Sequence, residues 1–391
     1  MQASARCRSM TPDPTICFIG MANLPVLAPE FGHHRAGGTE LQQALLAKAL
    51  ARRGLSVSMI VADYGQPDGA VYEGVKTYKA FDPAKGIPVL RFVHPRWSGL
   101  WAAMRRADAD IYYTSAAGGH LGQIVMFARL HGRKVVFRTA SNSDCDRRLL
   151  LVHLWRDKQL YRYGLKRADL VLAQTVEQQA ALSKNFARDS RVVSSLTESA
   201  RPRRALADRD IDVLWVGNIR GVKRPEILLE MARRLPAIRF HMIGGPMPRA
   251  EKLYEAVRSE ALAIPNLHFH GPVPYHQIGH YYERARVYVS TSNVEGFPNS
   301  YLQAWAHGTP VVAFLDPDQL VARYGLGCAP SSVEEMCTCI QGLMADQHQW
   351  QAASLRSGQF MDNRFSETTM VAGYLEALSD LRPGLPPVTA Q

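Results

Sequence analysis

The chain alternates short apolar runs with longer segments in which apolar residues recur every three or four positions. Short runs of this kind predict buried strands, and the longer segments predict amphipathic helices. Their alternation predicts an α/β protein with parallel sheets. The predicted strands are 15–20, 56–62, 111–114, 134–137 and 170–173 in the first half, and 211–217, 239–243, 267–270, 287–290 and 311–314 in the second.

The clearest helical patterns are 41–53, which ends at Gly54, a cationic segment at 149–167, and a final helix at 366–381. The polar stretch 197–210 interrupts the alternation of predicted strands and helices and contains Pro202, so it is interpreted as an interdomain connection. We therefore predict an N-terminal domain over 1–198 and a C-terminal domain over 199–365, followed by a helix at 366–382 and a flexible tail at 383–391. Two doubly wound domains of this size would leave a ligand cleft between the carboxyl ends of their sheets.

Composition excludes several classes of protein. A chain of 391 residues with 47% hydrophobic and 21% charged residues is neither disordered nor too short for two cores. No apolar run approaches the ~20 residues of a membrane span. The six cysteines are scattered and predict neither a disulfide framework nor a zinc site. Without export or membrane signals, the sequence favours a cytoplasmic protein.

The net charge of +11 belongs to the first half of the chain. Residues 1–200 hold 27 Lys and Arg against 16 Asp and Glu, whereas the remaining residues hold 19 of each. This asymmetry is compatible with an anionic partner such as a membrane surface, and equally with a solvated basic surface. An aromatic and basic patch from Pro95 and Trp97 to Trp101 and Arg106 could contact a membrane, or its tryptophans could be core residues. No nucleic-acid-binding module is recognised.

Two loops of the second half suit a phosphorylated ligand. The first loop follows a strand and carries Arg220, Lys223 and Arg224, whose cations can neutralise a diphosphate. The second begins at Glu295 and leads into a helix with Asn299 as the predicted N-cap and Gly308 as the terminator. A helix start offers free N–H groups and a positive dipole end to phosphate.

These motifs carry a resemblance to a known family. The glycine pair Gly37-Gly38, the strand end at Gly217 with Lys223, and the run from Glu295 to Val312 resemble retaining glycosyltransferases of family four. The resemblance covers nearly the whole chain. It implies the GT-B fold, with two Rossmann-like doubly wound domains facing across a cleft. The N-terminal domain would bind the acceptor, the C-terminal domain a nucleotide-sugar, and the last helix would pack back on the N-terminal domain.

The resemblance also assigns roles. Glu295 would contact the donor sugar, Lys223 and Arg220 would stabilise the leaving diphosphate, and Gln303 would bind the ribose. The other donor-side positions are Gly37, Gly38, Gly217, Asn218, Gly244, Gly296, Phe297, Pro298, Asn299 and Ser300. A histidine often found after an acceptor-domain strand is replaced by Ala140, so the acceptor-side candidates are Arg138, Asn142 and Asp144. Neither a metal nor a cofactor is required, because Lys and Arg can neutralise the diphosphate.

The resulting hypothesis is a retaining glycosyltransferase acting on a nucleoside diphosphate sugar and a saccharide or lipid-linked acceptor. It would serve polysaccharide or cell-surface glycan synthesis in the cytoplasm or at the inner face of the membrane, and would bind no nucleic acid. The alternatives are a catalytically inactive nucleotide-sugar-binding subunit and a sugar-nucleotide epimerase or glycoside phosphorylase of the same fold. The base, the sugar and the acceptor are not specified by the sequence.

Overall fold

The apolar runs form two open sheets whose carboxyl edges face each other. The computed structural model describes residues 14–32, 37–88, 90–197, 203–248 and 250–381. Both sheets are buried on their two faces, which explains why their central strands are continuously apolar rather than alternating. The predicted doubly wound α/β class is confirmed.

The first sheet has eight strands in the order β3-β4-β2-β1-β5-β6-β7-β8, and all neighbours are parallel except β3 and β4. The strands are β1 (Ile16–Ile19), β2 (Val57–Val61), β3 (Val71–Tyr72), β4 (Val75–Lys79), β5 (Ile111–Ser115), β6 (Lys134–Arg138), β7 (Leu170–Ala173) and β8 (Arg191–Val192). The helices around them are α1 (Leu24–Leu27), α2 (Gly38–Arg52), α3 (Ser98–Ala107), α4 (Gly119–Leu130), α5 (Trp155–Arg167) and α6 (Val176–Phe186).

The second sheet has six parallel strands in the order β11-β10-β9-β12-β13-β14. These are β9 (Ile211–Val216), β10 (Phe240–Ile243), β11 (Leu267–Gly271), β12 (Ala285–Ser290), β13 (Val311–Ala313) and β14 (Gly327–Cys328). Its helices are α7 (Pro225–Arg234), α8 (Glu251–Leu262), α9 (Tyr275–Arg284), α10 (Asn299–Ala306), α11 (Leu320–Tyr324) and α12 (Val333–Ala345).

Two C-terminal helices join the halves, α13 (Gln347–Arg364) and α14 (Glu367–Ser379). Helix α13 packs on α10, whereas α14 lies against α2 of the first half. Glu367 at the start of α14 forms ion pairs with Arg52 at 2.8 Å and with Arg53 at 2.9 Å. Asp380, directly after the end of α14, forms an ion pair with Arg191. One apolar cluster continues from the first sheet through α14 to α10. None of the helices in the described ranges is long and apolar enough to cross a bilayer.

The structure corrects several predicted boundaries. The predicted strands are confirmed within about two residues, but the helix predicted over 149–167 begins only at Trp155, and the helix predicted from Leu41 begins at Gly38. The position of Asn299 as N-cap is wrong, because Pro298 occupies the cap and Asn299 is the first helical residue. Four of the described strands, β3, β4, β8 and β14, and helix α13 were not predicted. The predicted domain border at 198/199 and the tail at 383–391 lie outside the described residues.

Candidate functional site

Two loops at the carboxyl edge of the second sheet are held side by side. The indole of Trp215 on β9 donates to the Thr291 hydroxyl at 3.0 Å, and that hydroxyl donates to the carbonyl of Lys223 at 2.6 Å. The amide of Asn293 donates to the carbonyl of Val222 at 3.1 Å. The loop after β9 is therefore fixed against the loop after β12, and the charged residues of both loops share one edge.

The centre of this edge is an ion pair between Lys223 and Glu295. Both side chains are largely shielded, with 17% of the Lys223 side chain and 13% of the Glu295 side chain exposed. A lysine so placed offers a positive charge to an incoming anion, and the carboxylate offers an acceptor to hydroxyl groups. The two residues that the sequence places 72 positions apart thus form one polar centre.

A second cation, Arg220, faces the first domain across the cleft. Its Nε atom is buried and has no hydrogen-bond partner among the described residues. Opposite stands Glu40, whose carboxylate accepts the Gly37 amide at 3.0 Å. Burial raises the pKa of the Glu40 carboxyl, while the Gly37 amide and the charge of Arg220 oppose that rise. Arg220 therefore adds positive potential at the cleft beside Lys223.

The start of α10 supplies a third feature. The Pro298 cap makes no side-chain hydrogen bond, and the amides of Asn299 and Ser300 have no acceptor within the described ranges. The Asn299 side chain reaches across the cleft, donating to the Gly38 carbonyl at 2.8 Å and accepting from Gln42 at 2.9 Å. The glycine pair of the first domain thus lies directly against this helix start, whose dipole favours anions.

Two more contacts close the cleft around Glu295. The amide of Asn142 donates to the Glu295 carbonyl at 2.8 Å, and the amide of Phe297 donates to the Gln174 side chain at 2.6 Å. Between them, a Cβ atom on Gly296 would stand 2.0 Å from Oε1 of Gln174 and 2.6 Å from the carbonyl oxygen of Ala140. Only glycine fits there, because any side chain would push the two domains apart.

Comparison with protein-family models matches both halves of the chain. Residues 37–195 match the glycosyl transferase 4-like domain, and residues 210–346 match glycosyl transferases group 1. The first match lies on the first sheet and its helices, and the second match lies on the second sheet and its helices. The chain belongs to the glycosyltransferases.

Known relatives agree with this placement. A D-inositol 3-phosphate glycosyltransferase from Frankia alni is 38% identical over 118 residues, a segment that spans 27% of this glycosyltransferase and 29% of the relative. The sucrose-phosphate synthase structure from Thermosynechococcus elongatus superposes with a TM-score of 0.73 at 18% identity, covering 94% of this chain and 99% of that one. The HepE structure from Anabaena, in complex with UDP and glucose, gives 0.72 at 15% identity over 94% and 99% of the two chains. The fold is GT-B.

Two of the three acceptor-side candidates of this glycosyltransferase point away from the cleft. Arg138 is 1% exposed and donates to the Ser195 hydroxyl at 2.7 Å, inside the first domain. Asp144 is 3% exposed and accepts the Ala140 amide at 2.8 Å and the Ser141 amide at 3.2 Å. Burial raises the pKa of Asp144 to about 6, while these amides oppose the rise. Both residues therefore organise the loop after β6, and exposed Asn142 is the candidate that reaches the cleft.

The remaining donor-side positions lie around the same edge. Gly217 and Asn218 follow β9, Gly244 follows β10, and Gln303 is half-buried one turn inside α10. No group of three His, Cys, Asp or Glu side chains in the described part of the chain could hold a metal ion. Sequence reasoning missed two buried amides, Gln42 on α2 and Gln174 directly after β7. The position of Gln174 at the carboxyl end of a continuously apolar strand was a signal that could have singled it out, whereas Gln42 lies among other polar residues of α2.

Proposed function

We propose that this protein transfers a sugar from a nucleoside diphosphate sugar to a hydroxyl of a saccharide or lipid-linked acceptor, with retention of anomeric configuration. The observation that carries the proposal is the shielded pair of Lys223 and Glu295, beside Arg220 and the amides that begin α10, which have no acceptor among the described residues. Such a site combines acceptors for sugar hydroxyls with positive charge for a diphosphate.

In the proposed reaction the bond between the anomeric carbon and the β-phosphate oxygen of the donor breaks. The acceptor oxygen forms its bond to the same face of that carbon. The acceptor proton passes to the departing phosphate oxygen, and the nucleoside diphosphate leaves. The protein then acts mainly by stabilising the negative charge that develops on the phosphate.

Each proposed role follows from position. The diphosphate would be held by Lys223, by Arg220 and by the amides of Asn299 and Ser300. Glu295 would accept hydrogen bonds from hydroxyl groups of the donor sugar. Gly37 and Gly38 would approach the phosphates from the first domain. Gln303, one turn into α10, would reach the ribose. Because two cations and a helix start supply the positive charge, we propose that transfer needs no metal ion or other cofactor.

The named relatives are transferases and a synthase, so they do not favour an inactive subunit, an epimerase or a phosphorylase. The complex of HepE with UDP and glucose makes uridine donors the first to test. We further propose a role in polysaccharide or cell-surface glycan synthesis, on the cytoplasmic side of the membrane.

The test combines donor binding with transfer. A thermal-shift panel of UDP, GDP and ADP sugars should identify the donor, because a ligand of the folded state raises its melting temperature. With that donor and its acceptor, Lys223→Ala should lose about 10²–10³-fold in turnover, the usual effect of removing one preorganised group. The product anomer, read by NMR, should match the donor.

The matched control is Lys134→Ala. Lys134 also pairs with a carboxylate, Asp169 at 2.9 Å, but it begins β6 at the opposite edge of the sheet. Normal turnover in Lys223→Ala, or an equal loss in Lys134→Ala, would refute the phosphate assignment. An inverted product would refute the retaining mechanism.

A further inference from the structure

The exposed apolar residues of the chain are concentrated in one region of the first domain. Of the thirteen large hydrophobic residues that are exposed in the described ranges, seven come from two short segments, and each of the seven is 41% to 74% exposed. We call their surface the apolar rim. Its members are Ile87, Leu90 and Val93 from one segment, and Leu150, Leu151, Leu154 and Trp155 from the other.

The two segments lie side by side although they are about sixty positions apart. The guanidinium carbon of Arg156 stands 3.3 Å from the ring centre of Phe92, which joins the start of α5 to the first segment. Clustered apolar surface of this kind, bordered by polar groups, typically marks an interaction site, whereas single exposed apolar residues need no explanation.

The tryptophans that the sequence offered as a membrane contact do not form this surface. Trp97 and Trp101 are half-buried and stack edge to face at 5.9 Å, and the Trp101 indole donates to the Gln123 carbonyl at 3.0 Å. They anchor the first segment to the core. The outward surface consists of the aliphatic residues around them and of Trp155, which is 74% exposed.

The two segments that carry the apolar rim are rich in positive charge. Residues 85–106 contain five Lys and Arg and no carboxylate, and residues 147–167 contain seven Lys and Arg and one carboxylate. In the part of the chain that the structure describes, four of these twelve cations form ion pairs with nearby aspartates, namely Lys85, Arg106, Arg148 and Arg156, so the positive surplus lies on the other eight. Exposed cations beside exposed leucine and tryptophan suit an anionic lipid surface, because the apolar groups enter the headgroup boundary while the cations bind its phosphates. A second copy of the chain suits it poorly, since a two-fold contact would bring like charges together.

The position of the rim relates it to the cleft. Both segments leave the first sheet at carboxyl ends, one after β4 and one after β6, and these parallel strands end at the same edge. The loop after β6 also carries Asn142, whose amide contacts the Glu295 carbonyl. The apolar rim therefore lies on the same side of the first domain as the cleft.

We propose that the apolar rim docks this protein onto an anionic membrane surface. Docking there turns the acceptor side of the cleft toward the bilayer, so that a lipid-linked acceptor can reach the site without leaving the membrane. This last step rests on the proposed transfer function, whereas the docking itself does not.

Sedimentation of the full chain with vesicles tests the docking. Vesicles of phosphatidylcholine with phosphatidylglycerol should carry the protein down, and vesicles of phosphatidylcholine alone should not. The double variant Leu150→Ser/Leu154→Ser should bind the anionic vesicles more weakly by on the order of tenfold, because it loses two apolar side chains from the contact. Raising the salt concentration should weaken binding of the natural chain, since salt screens the cations.

The control is Leu262→Ser/Leu355→Ser, which removes two leucines that are 65% and 63% exposed on α8 and α13. This variant should bind as the natural chain does. Equal binding of the two double variants, binding to uncharged vesicles, or self-association in gel filtration that Leu150→Ser/Leu154→Ser abolishes would each overturn the proposal. The assay contains no sugar nucleotide, so a failed docking leaves the transfer function untouched, and a failed transfer assay leaves the docking result standing.

Discussion

At the scale of single residues, the ion pair of Lys223 and Glu295 has two functions that compete. Glu295 holds Lys223 in position, yet its carboxylate also neutralises the positive charge that we assign to binding the donor diphosphate. A donor must therefore share Lys223 with Glu295. Because both side chains are largely shielded from solvent, their attraction is stronger than that of an exposed pair, and the competition is measurable.

This competition predicts opposite effects on binding and on chemistry. Glu295→Gln keeps the shape of the side chain but removes its charge, so UDP should bind a few-fold more tightly by calorimetry while transfer becomes slower. The matched variant Asp169→Asn, which releases Lys134 at the far edge of the first sheet, should change neither. Weaker UDP binding in Glu295→Gln would show that the carboxylate positions Lys223 rather than competes for it.

Residue types were predictable from the sequence, but the direction of each side chain was not. Asp144 and Arg138 stand where a cleft residue was expected, because both lie near the end of β6, yet both turn into the domain. Whether a residue at a strand end points inward depends on packing from distant elements, such as Ser195 beside Arg138. Asn299 shows the opposite case. The sequence predicted that its side chain would cap α10, but that side chain reaches outward and contacts Gly38 and Gln42 of the other domain.

At the scale of elements, strands were predicted better than helix ends. Buried parallel strands carry a local signal, a short run of apolar residues, which both sheets confirm. The helix predicted over 149–167 ends where predicted but begins six residues later, because the leucines at 150, 151 and 154 resemble a buried helical face although they are exposed in the loop before α5. Helix α13 was missed because glutamine and serine residues lie between its few apolar residues, so the sequence shows no clear apolar periodicity there.

The strand pair β10 and β11 predicts a pH dependence of stability. His241 lies beside His268 and His270, with Nδ1 of His241 3.0 Å from Nε2 of His270. The pKa of His241 is lowered from 6.5 to about 4, chiefly by burial and also by the two neighbouring histidines and Arg284, while Asp210 opposes the fall. Burial likewise lowers the pKa of His270, with help from His268 and Arg284.

The unfolded chain therefore binds more protons than the folded chain between about pH 6.5 and pH 4, so stability should fall as the pH falls through this window. Melting temperatures across the window should decline less steeply for His241→Gln than for the natural chain. His348→Gln, which changes an exposed histidine on α13, serves as the control and should leave the slope unchanged. Equal slopes for the two variants would contradict the assignment to the β10 and β11 pair.

At the scale of the whole molecule, few polar contacts hold the two sheets together at the cleft. Among the described residues they connect Gly38 and Gln42 with Asn299, Asn142 with Glu295, Gln174 with Phe297, and the amides of Val176 and Glu177 with the carboxylate of Asp318. Helix α14 provides a separate connection on α2. We expect these cleft contacts to open when the proposed sugar nucleotide enters, whereas the connection through α14 can persist as the hinge of the movement.

Loss of the Asn299 side chain should shift this balance, because it makes two of the cross-cleft hydrogen bonds, as Asp318 also does with the amides of Val176 and Glu177. With about 0.5–1.5 kcal/mol for each bond, Asn299→Ala should favour the open form on the order of tenfold. Small-angle scattering of the free protein should then give a larger radius of gyration. Asn185→Ala is the control, since Asn185 donates to the Cys145 carbonyl at 2.8 Å within the first domain. If both variants scatter like the natural chain, the Asn299 contacts do not govern closure, and the remaining cross-cleft hydrogen bonds and the apolar cluster shared by the two halves hold the cleft shut.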